Sequence, residues 1–110
     1  MISRKNRLKR SEVKQVLKKG QKIFSPVFSI KFVENREATN KFAVIVSKKV
    51  TPKAIKRNLL RRQIYEILRL NKDLSEKKYN IIIIGSPKIL EMTYSEMEQN
   101  IKSLLKKIYE

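Results

Sequence analysis

The sequence predicts a single α/β (α+β) domain, a sheet of about four strands with three helices, and three observations carry that prediction. Strand-like alternation and helical periodicity both recur within 110 residues, a length that suits one core. Apolar residues make up 41% of the chain, enough to argue against disorder despite the high charge. No repeat, low-complexity tract or linker divides the chain, and the elements run helix, strands, helix, strand, helix. Residues 1–110 therefore form one domain, opening with a basic arm over 1–10.

The arm holds Arg4, Lys5, Arg7, Lys9 and Arg10, with Leu8 as its expected anchor. Ser11 is a candidate N-cap with Glu12 in the first turn. Val13, Val16 and Leu17 give the first helix an apolar face, and Gly20 its stop. From Phe24 to Val33, alternation sets Phe28, Ile30 and Phe32 on one face and Ser29 and Lys31 on the other, as in a half-buried strand. A short strand near Ile23 precedes it. After a polar turn over Glu34 to Asn40, the apolar run Phe42 to Val46 reads as the second arm of an antiparallel hairpin.

Pro52 breaks the chain, and Lys53 to Arg69 then takes a helical period with Leu60, Ile64 and Ile67 in one arc. Ile81 to Ile84, ended by Gly85, Ser86 and Pro87, has the unbroken apolar character of a central strand covered on both faces. Thr93 and Glu96 form a capping box ahead of Met97, Ile101, Leu104, Leu105 and Ile108, the face of a last, nearly neutral helix.

Charge points to a polyanionic partner. Lys and Arg number 27 against 10 Asp and Glu, a formal net charge of +17. Residues 1–70 carry 20 of the bases and only 4 of the acids, so the basic surface belongs to the first two thirds. The chain has neither Cys nor His, which removes thiolate and imidazole metal sites, Cys or Ser–His nucleophiles and disulfides. No long apolar run or signal-peptide core appears, so a cytoplasmic protein is expected, and the basic segments lack the bulky apolar face of a membrane anchor.

On the helical wheel, Arg57, Arg61, Tyr65 and Arg69 recur every fourth residue, with Asn58 and Arg62 flanking them in an arc of about 140°. Leu60, Ile64 and Ile67 are expected to face the other way. Arginines aligned in this fashion repel unless an anion lies against them, and guanidinium matches phosphate in a bidentate fashion. Tyr65 could stack on a base or pack internally. A charge run is often only a solvated face. Here Lys48, Lys49, Lys53, Lys56 and the arm extend the helical stripe into a patch built from three segments.

The segment Ser47-Lys48-Lys49-Val50 followed by Ala54-Ile55-Lys56-Arg57-Asn58-Leu59-Leu60-Arg61-Arg62 resembles the signature of the bacterial ribonuclease P protein. The arm Lys5-Asn6-Arg7-Leu8-Lys9-Arg10, the first helix, Phe28, the Ile81 to Ile84 strand and the last helix follow in that family's order. The resemblance implies an α/β sandwich with a mixed sheet, and a left-handed crossover between the parallel strands that flank the signature helix. It implies partnership with ribonuclease P RNA and precursor tRNA, and removal of the tRNA 5′ leader by a ribonucleoprotein endonuclease. The catalytic centre and its Mg²⁺ would lie in the RNA-containing holoenzyme, with no catalytic residue and no cofactor held by this chain alone.

By match, the surface for the catalytic RNA comprises Arg4, Arg7, Lys48, Lys49, Lys53, Lys56, Arg57, Asn58, Arg61 and Arg62, with Tyr65 and Arg69 added from the wheel. A cleft between the first helix and the sheet would hold the single-stranded leader through Val13, Leu17, Phe24, Phe28 and Lys31. The family commonly has aromatics where Val13, Leu17 and Lys31 stand, so charge is expected to outweigh stacking there. Further departures are the turn Val50-Thr51-Pro52-Lys53, one residue longer and lacking the usual Gly, and Leu59 and Tyr65 at positions often basic. The competing reading is a ribosomal-type or chaperone-like RNA-binding protein that promotes no cleavage. A protein-only nuclease would need clustered carboxylates, and the sequence has none. Oligomeric state is not legible.

Overall fold

The computed structural model describes residues 4–71 and 76–109. Of the arm expected over 1–10, residues 1–3 lie outside the described residues. A short 3₁₀ turn, Arg4–Asn6, leads into α1 (Arg10–Lys19), β1 (Gln21–Phe24), β2 (Phe28–Asn35), β3 (Lys41–Ile45), α2 (Ala54–Leu70), β4 (Lys78–Gly85), a 3₁₀ turn at Pro87–Glu91 and α3 (Tyr94–Tyr109). The sheet is mixed, in the order β1-β2-β4-β3: β1 and β4 run antiparallel to β2, and β3 runs parallel to β4.

The expected hairpin of the second and third strands does not form. The hairpin is β1 to β2, and β4 lies between β2 and β3. Ile81, Ile82 and Ile83 explain this, since side chains that are apolar in both directions need cover on both faces and neighbours on both edges. All three are fully buried. Phe24, expected in the same strand as Phe28, belongs to β1. Pro26 interrupts the run, and Ser25 Oγ accepts from the Val27 and Phe28 N–H groups (3.2 and 3.1 Å), making the turn.

One sheet face carries Ile30, Phe32, Ile81, Ile83, Phe42 and Val44 into a core closed by Leu60, Ile64, Ile67 and Leu68 of α2 and by Met97, Ile101, Leu104, Leu105 and Ile108 of α3. The residues assigned to these helix faces from periodicity are thus the ones buried. The capping box holds too: Thr93 N donates to Glu96 Oε1 (2.9 Å) and Glu96 N to Thr93 Oγ1 (3.1 Å).

On the opposite face α1 packs over β2 and β4 through Val16, fully buried, with Ile82 directed to this side by the two-residue strand period. Its start lies earlier than expected. Lys9 is the N-cap and its N–H donates to Glu12 Oε1 (2.8 Å), leaving Ser11 inside the first turn. Gly20 ends the helix with an ordinary negative φ of −69°. What requires glycine there is close approach, because a Cβ would stand 2.5 Å from the Val16 carbonyl oxygen and 3.2 Å from Phe32 N.

Candidate nucleic-acid interface

The arm is fixed by backbone pairing and by Asn6. Leu8 N donates to Phe42 O (2.9 Å), Arg7 bridges Phe42 in parallel, and the fully buried Asn6 donates through Nδ2 to Asn40 O (2.8 Å). Leu8, expected as the anchor, is only half-buried, and the polar Asn6 is the better-buried residue. A buried amide that satisfies a loop carbonyl gave no hydrophobic signal in the sequence.

Docked in this way, Arg7 reaches α2. Its guanidinium carbon lies 5.2 Å from the Tyr65 ring centroid, and its Nε is buried with no hydrogen-bond partner among the described residues. Arg7, Ile55, Asn58, Arg61, Arg62 and Tyr65 enclose an open hollow of about 610 Å³. Tyr65 is a structural member of this wall: its hydroxyl accepts the Val44 N–H (3.2 Å), while Arg7 covers its ring. The packing alternative thus describes Tyr65 better than an open stacking platform.

The stripe on α2 starts beside the core and turns away from it along the helix. At about 100° per residue, Arg57 projects only about 20° from Ile64. Arg57, Arg61 and Tyr65 are accordingly half-buried, and Asn58 and Arg62 are exposed. Arg57 Nη1 donates to Thr51 O (3.0 Å) and Arg61 Nη1 to Val46 O (3.5 Å), so both also staple the turn before α2, while Arg61 Nη2 donates to Asn58 Oδ1. Lys48 and Lys49 lie just past β3 in an exposed turn, and Lys53 and Lys56 are exposed at the start of α2, as is Arg4 at the arm. None of these five has a carboxylate partner among the described residues.

Arg69 stands apart. Its Nε and Nη2 donate to Glu66, with distances of 2.5 to 3.1 Å, and this pairing holds the Glu66 carboxyl down at about 2. An arginine already satisfied by a carboxylate has little left for a phosphate. Spacing alone did not single Arg69 out, because Glu66 stands four residues after Arg62 as well as three before Arg69; the order of acid before base, which the helix favours, is the signal that agrees with the observed pair.

The proposed leader residues divide between the two faces. Val13 is half-buried and Leu17 partly exposed on α1, Lys31 Nζ donates to Leu17 O (2.9 Å), and Phe24 is 71% exposed with Lys22 Nζ 5.8 Å from its ring centroid. Phe24, Ser29 and Ile84 share the α1 side of the sheet and line a hollow of about 310 Å³. Phe28 also borders it, but it is 1% exposed and its side chain belongs to the core on the other face, so the structure offers no ring surface there for a base. Two-residue alternation already separated Phe28 from Lys31. Lys22, which the sequence reading passed over, shares the open face with Phe24.

The N-terminus of α1 is tied to the sheet edge by Lys41, whose Nζ bridges Glu12 (3.2 Å) and Glu37 (2.8 Å). The Lys9 backbone N–H, then Lys41, hold Glu12 below its usual 4.5, while Glu37 foremost, then Glu12, raises Lys41 above 10.5. Glu12 and Glu66 therefore add stability that is complete above about pH 4.5 and lost as pH falls through their depressed values, whereas the Lys41 share is lost only above pH 10.5. Thermal melting should be level from pH 5 to 9 and fall steeply below 4.5. Glu12→Gln should lower the plateau and make that acid fall shallower; an acid limb identical to wild type would remove Glu12 from the account.

A small mixed-sheet α/β protein with one cationic hollow built by an arm and a helix, and a second shallow cleft across the sheet, is an RNA-binding protein by its fold and site. Comparison with known sequences is specific about which. The family model described as Ribonuclease P matches residues 2–109, and the chain belongs to that family. The ribonuclease P protein components of Clostridium kluyveri and Clostridioides difficile are 33% and 34% identical, over 90% of this chain and 89% and 87% of theirs. The ribonuclease P protein from Thermotoga maritima superposes with a TM-score of 0.81 at 26% identity, covering 92% of this chain and 96% of that one. Membership makes the chain a protein subunit of a tRNA-processing endoribonuclease, partnering ribonuclease P RNA and precursor tRNA, with cleavage centred in the RNA. Among the described residues no helix is long and apolar enough to cross a membrane.

Proposed function

We propose that the subunit divides its RNA contacts between the two sides of its sheet. The hollow of Arg7, Asn58, Arg61 and Arg62, extended by Arg4, Lys48, Lys49, Lys53, Lys56 and Arg57, grips phosphates of the catalytic RNA, with Tyr65 as its internal strut and Arg69 marginal. The α1 side, with Val13, Leu17, Lys22, Phe24 and Lys31, receives the single-stranded leader. The observation that carries the reading is the convergence of the arm's Arg7 with Arg61 and Arg62 on one hollow, since three guanidinium groups converging there without a carboxylate among them suit an outside anion such as phosphate.

The chain's part is to lower the repulsion between phosphates and to hold the leader in place. Mg²⁺ is assigned to the RNA-containing holoenzyme, and the part given to this chain's own residues is to bind and position RNA. The subunit acts in the cytoplasm, where precursor tRNA is made. The test is cleavage of a 5′-leader-bearing precursor tRNA at low Mg²⁺ by the cognate ribonuclease P RNA, with and without this protein, beside protein alone. Stimulation only when both are present is expected. No stimulation would return the chain to general RNA binding, and cleavage by protein alone would move the chemistry into it.

Among the described residues of the leader side, Phe24 is the one broadly exposed aromatic, and a stacked base is worth about 1–3 kcal/mol. Phe24→Ala should weaken binding of leader-bearing precursor tRNA by the holoenzyme about tenfold and leave mature tRNA unaffected. Equal losses for both substrates would place Phe24 outside the leader path.

A further inference from the structure

We infer that the exposed apolar pair Ile55 and Leu59 on α2 is a seat for one unstacked nucleobase of the bound ribonuclease P RNA; the inference rests on the RNA-binding reading above. Ile55 is 84% exposed and Leu59 39%, and their four-residue spacing places them on one helix face. At about 100° per residue, Ile55 projects nearly opposite the fully buried Ile64, so core packing gives no reason for an apolar side chain there. A β-branched residue is also a poorer helix former than the Lys or Glu that an outward position would ordinarily carry.

The surroundings identify the occupant. Lys53, Ala54, Ile55, Lys56 and Leu59 line a hollow of about 580 Å³, and Ile55 is also a wall of the hollow that holds Arg7, Asn58, Arg61 and Arg62. The apolar seat is therefore continuous with the phosphate grip. Lys53, Lys56 and Arg62 around it have no carboxylate partner among the described residues. A second copy of a chain of net charge +17 would bring cations against cations here. A nucleobase suits both halves of the site, because its faces cover aliphatic carbon while its own phosphate reaches the flanking ammonium and guanidinium groups. Leu59 is what turns the single exposed Ile55 into a surface wide enough for a ring.

An apolar seat and a phosphate contact differ in salt dependence, since only the phosphate contact releases counterions. The experiment is a salt titration of binding to the cognate ribonuclease P RNA by the full chain, by Ile55→Ser with Leu59→Ser, and by Ile55→Met with Leu59→Met, each with a melting curve. The serine pair should bind about tenfold more weakly at every salt concentration, with the slope of log affinity against log salt unchanged, as follows from uncovering roughly 55 Å² of apolar contact. The methionine pair should bind as wild type. Wild-type affinity for the serine pair would overturn the seat, as would a changed salt slope, which would make these residues supports for the cations. A wild-type dimer that the serine pair dissociates would assign the surface to a second copy. If wild type itself does not bind that RNA, the underlying reading fails and the seat with it, a result distinct from a loss confined to the variant.

Discussion

Replacing Arg61 and Arg62 together by alanine is expected to weaken binding to ribonuclease P RNA by about 10²- to 10⁴-fold, the loss of two charge-assisted hydrogen bonds at about 1.5–3 kcal/mol each. The slope of log affinity against log salt should fall by about two, one for each phosphate released. The two side chains serve differently in the free protein. Arg62 is exposed and has no partner to lose among the described residues, whereas Arg61 also reaches Val46 O and Asn58. Its carbonyl contact is long, 3.5 Å, so the fold should lose at most about 1 kcal/mol. Arg69→Ala is the control from the same helix. Because Glu66 already occupies its guanidinium, removing it should cost only a small fraction of the double variant's loss, and the Glu66 carboxyl should return toward 4.5. A double variant that keeps the wild-type salt slope would show that the hollow does not hold phosphate, and an Arg69→Ala loss as large as the double variant's would mean that the ion pair opens to RNA.

The contrast between Arg61 and Arg69 also marks how far sequence alone reaches. Helical period and strand alternation named nearly every buried residue of α2 and α3, because an amphipathic face is a local property. The strand order was not local. Ile81 to Ile84 announced a central strand, but nothing in that run says which neighbours it takes, and the hairpin favoured by chain proximity gave way to insertion of β4 between β2 and β3. The site was legible as a set of cations and less so as a geometry. The wheel placed Arg57 and Arg61 on a free stripe, yet its own angles put Arg57 beside Ile64. Asn6, which fixes the arm, and the Arg7 stack on Tyr65 depend on residues far apart in sequence and left no periodic trace.

Gly20→Ala is expected to produce the largest loss of stability from a single methyl group, about 2–3 kcal/mol or a fall of roughly 10 °C in Tm, whereas Gly85→Ala should cost about 1 kcal/mol. Both glycines have little room, but for different reasons. At Gly85 the added Cβ would meet Ile89 Cδ1 at 2.6 Å, the free end of a side chain that can rotate away. At Gly20 it would meet the Val16 carbonyl oxygen and Phe32 N, so relief requires the end of α1 and strand β2 to separate. That separation moves Leu17 and the Lys31 contact to its carbonyl, both on the leader side, and leaves the Arg7, Arg61 and Arg62 hollow untouched across the sheet. Gly20→Ala should therefore reduce discrimination between leader-bearing and mature tRNA while affinity for the catalytic RNA stays within about twofold of wild type, measured below the melting range of the variant. Equal melting losses at the two glycines would mean that the backbone at Gly20 yields as readily as the Ile89 side chain. A parallel loss of catalytic-RNA affinity would mean that the two faces of the sheet are coupled through α1, and the division of labour between them would have to be abandoned.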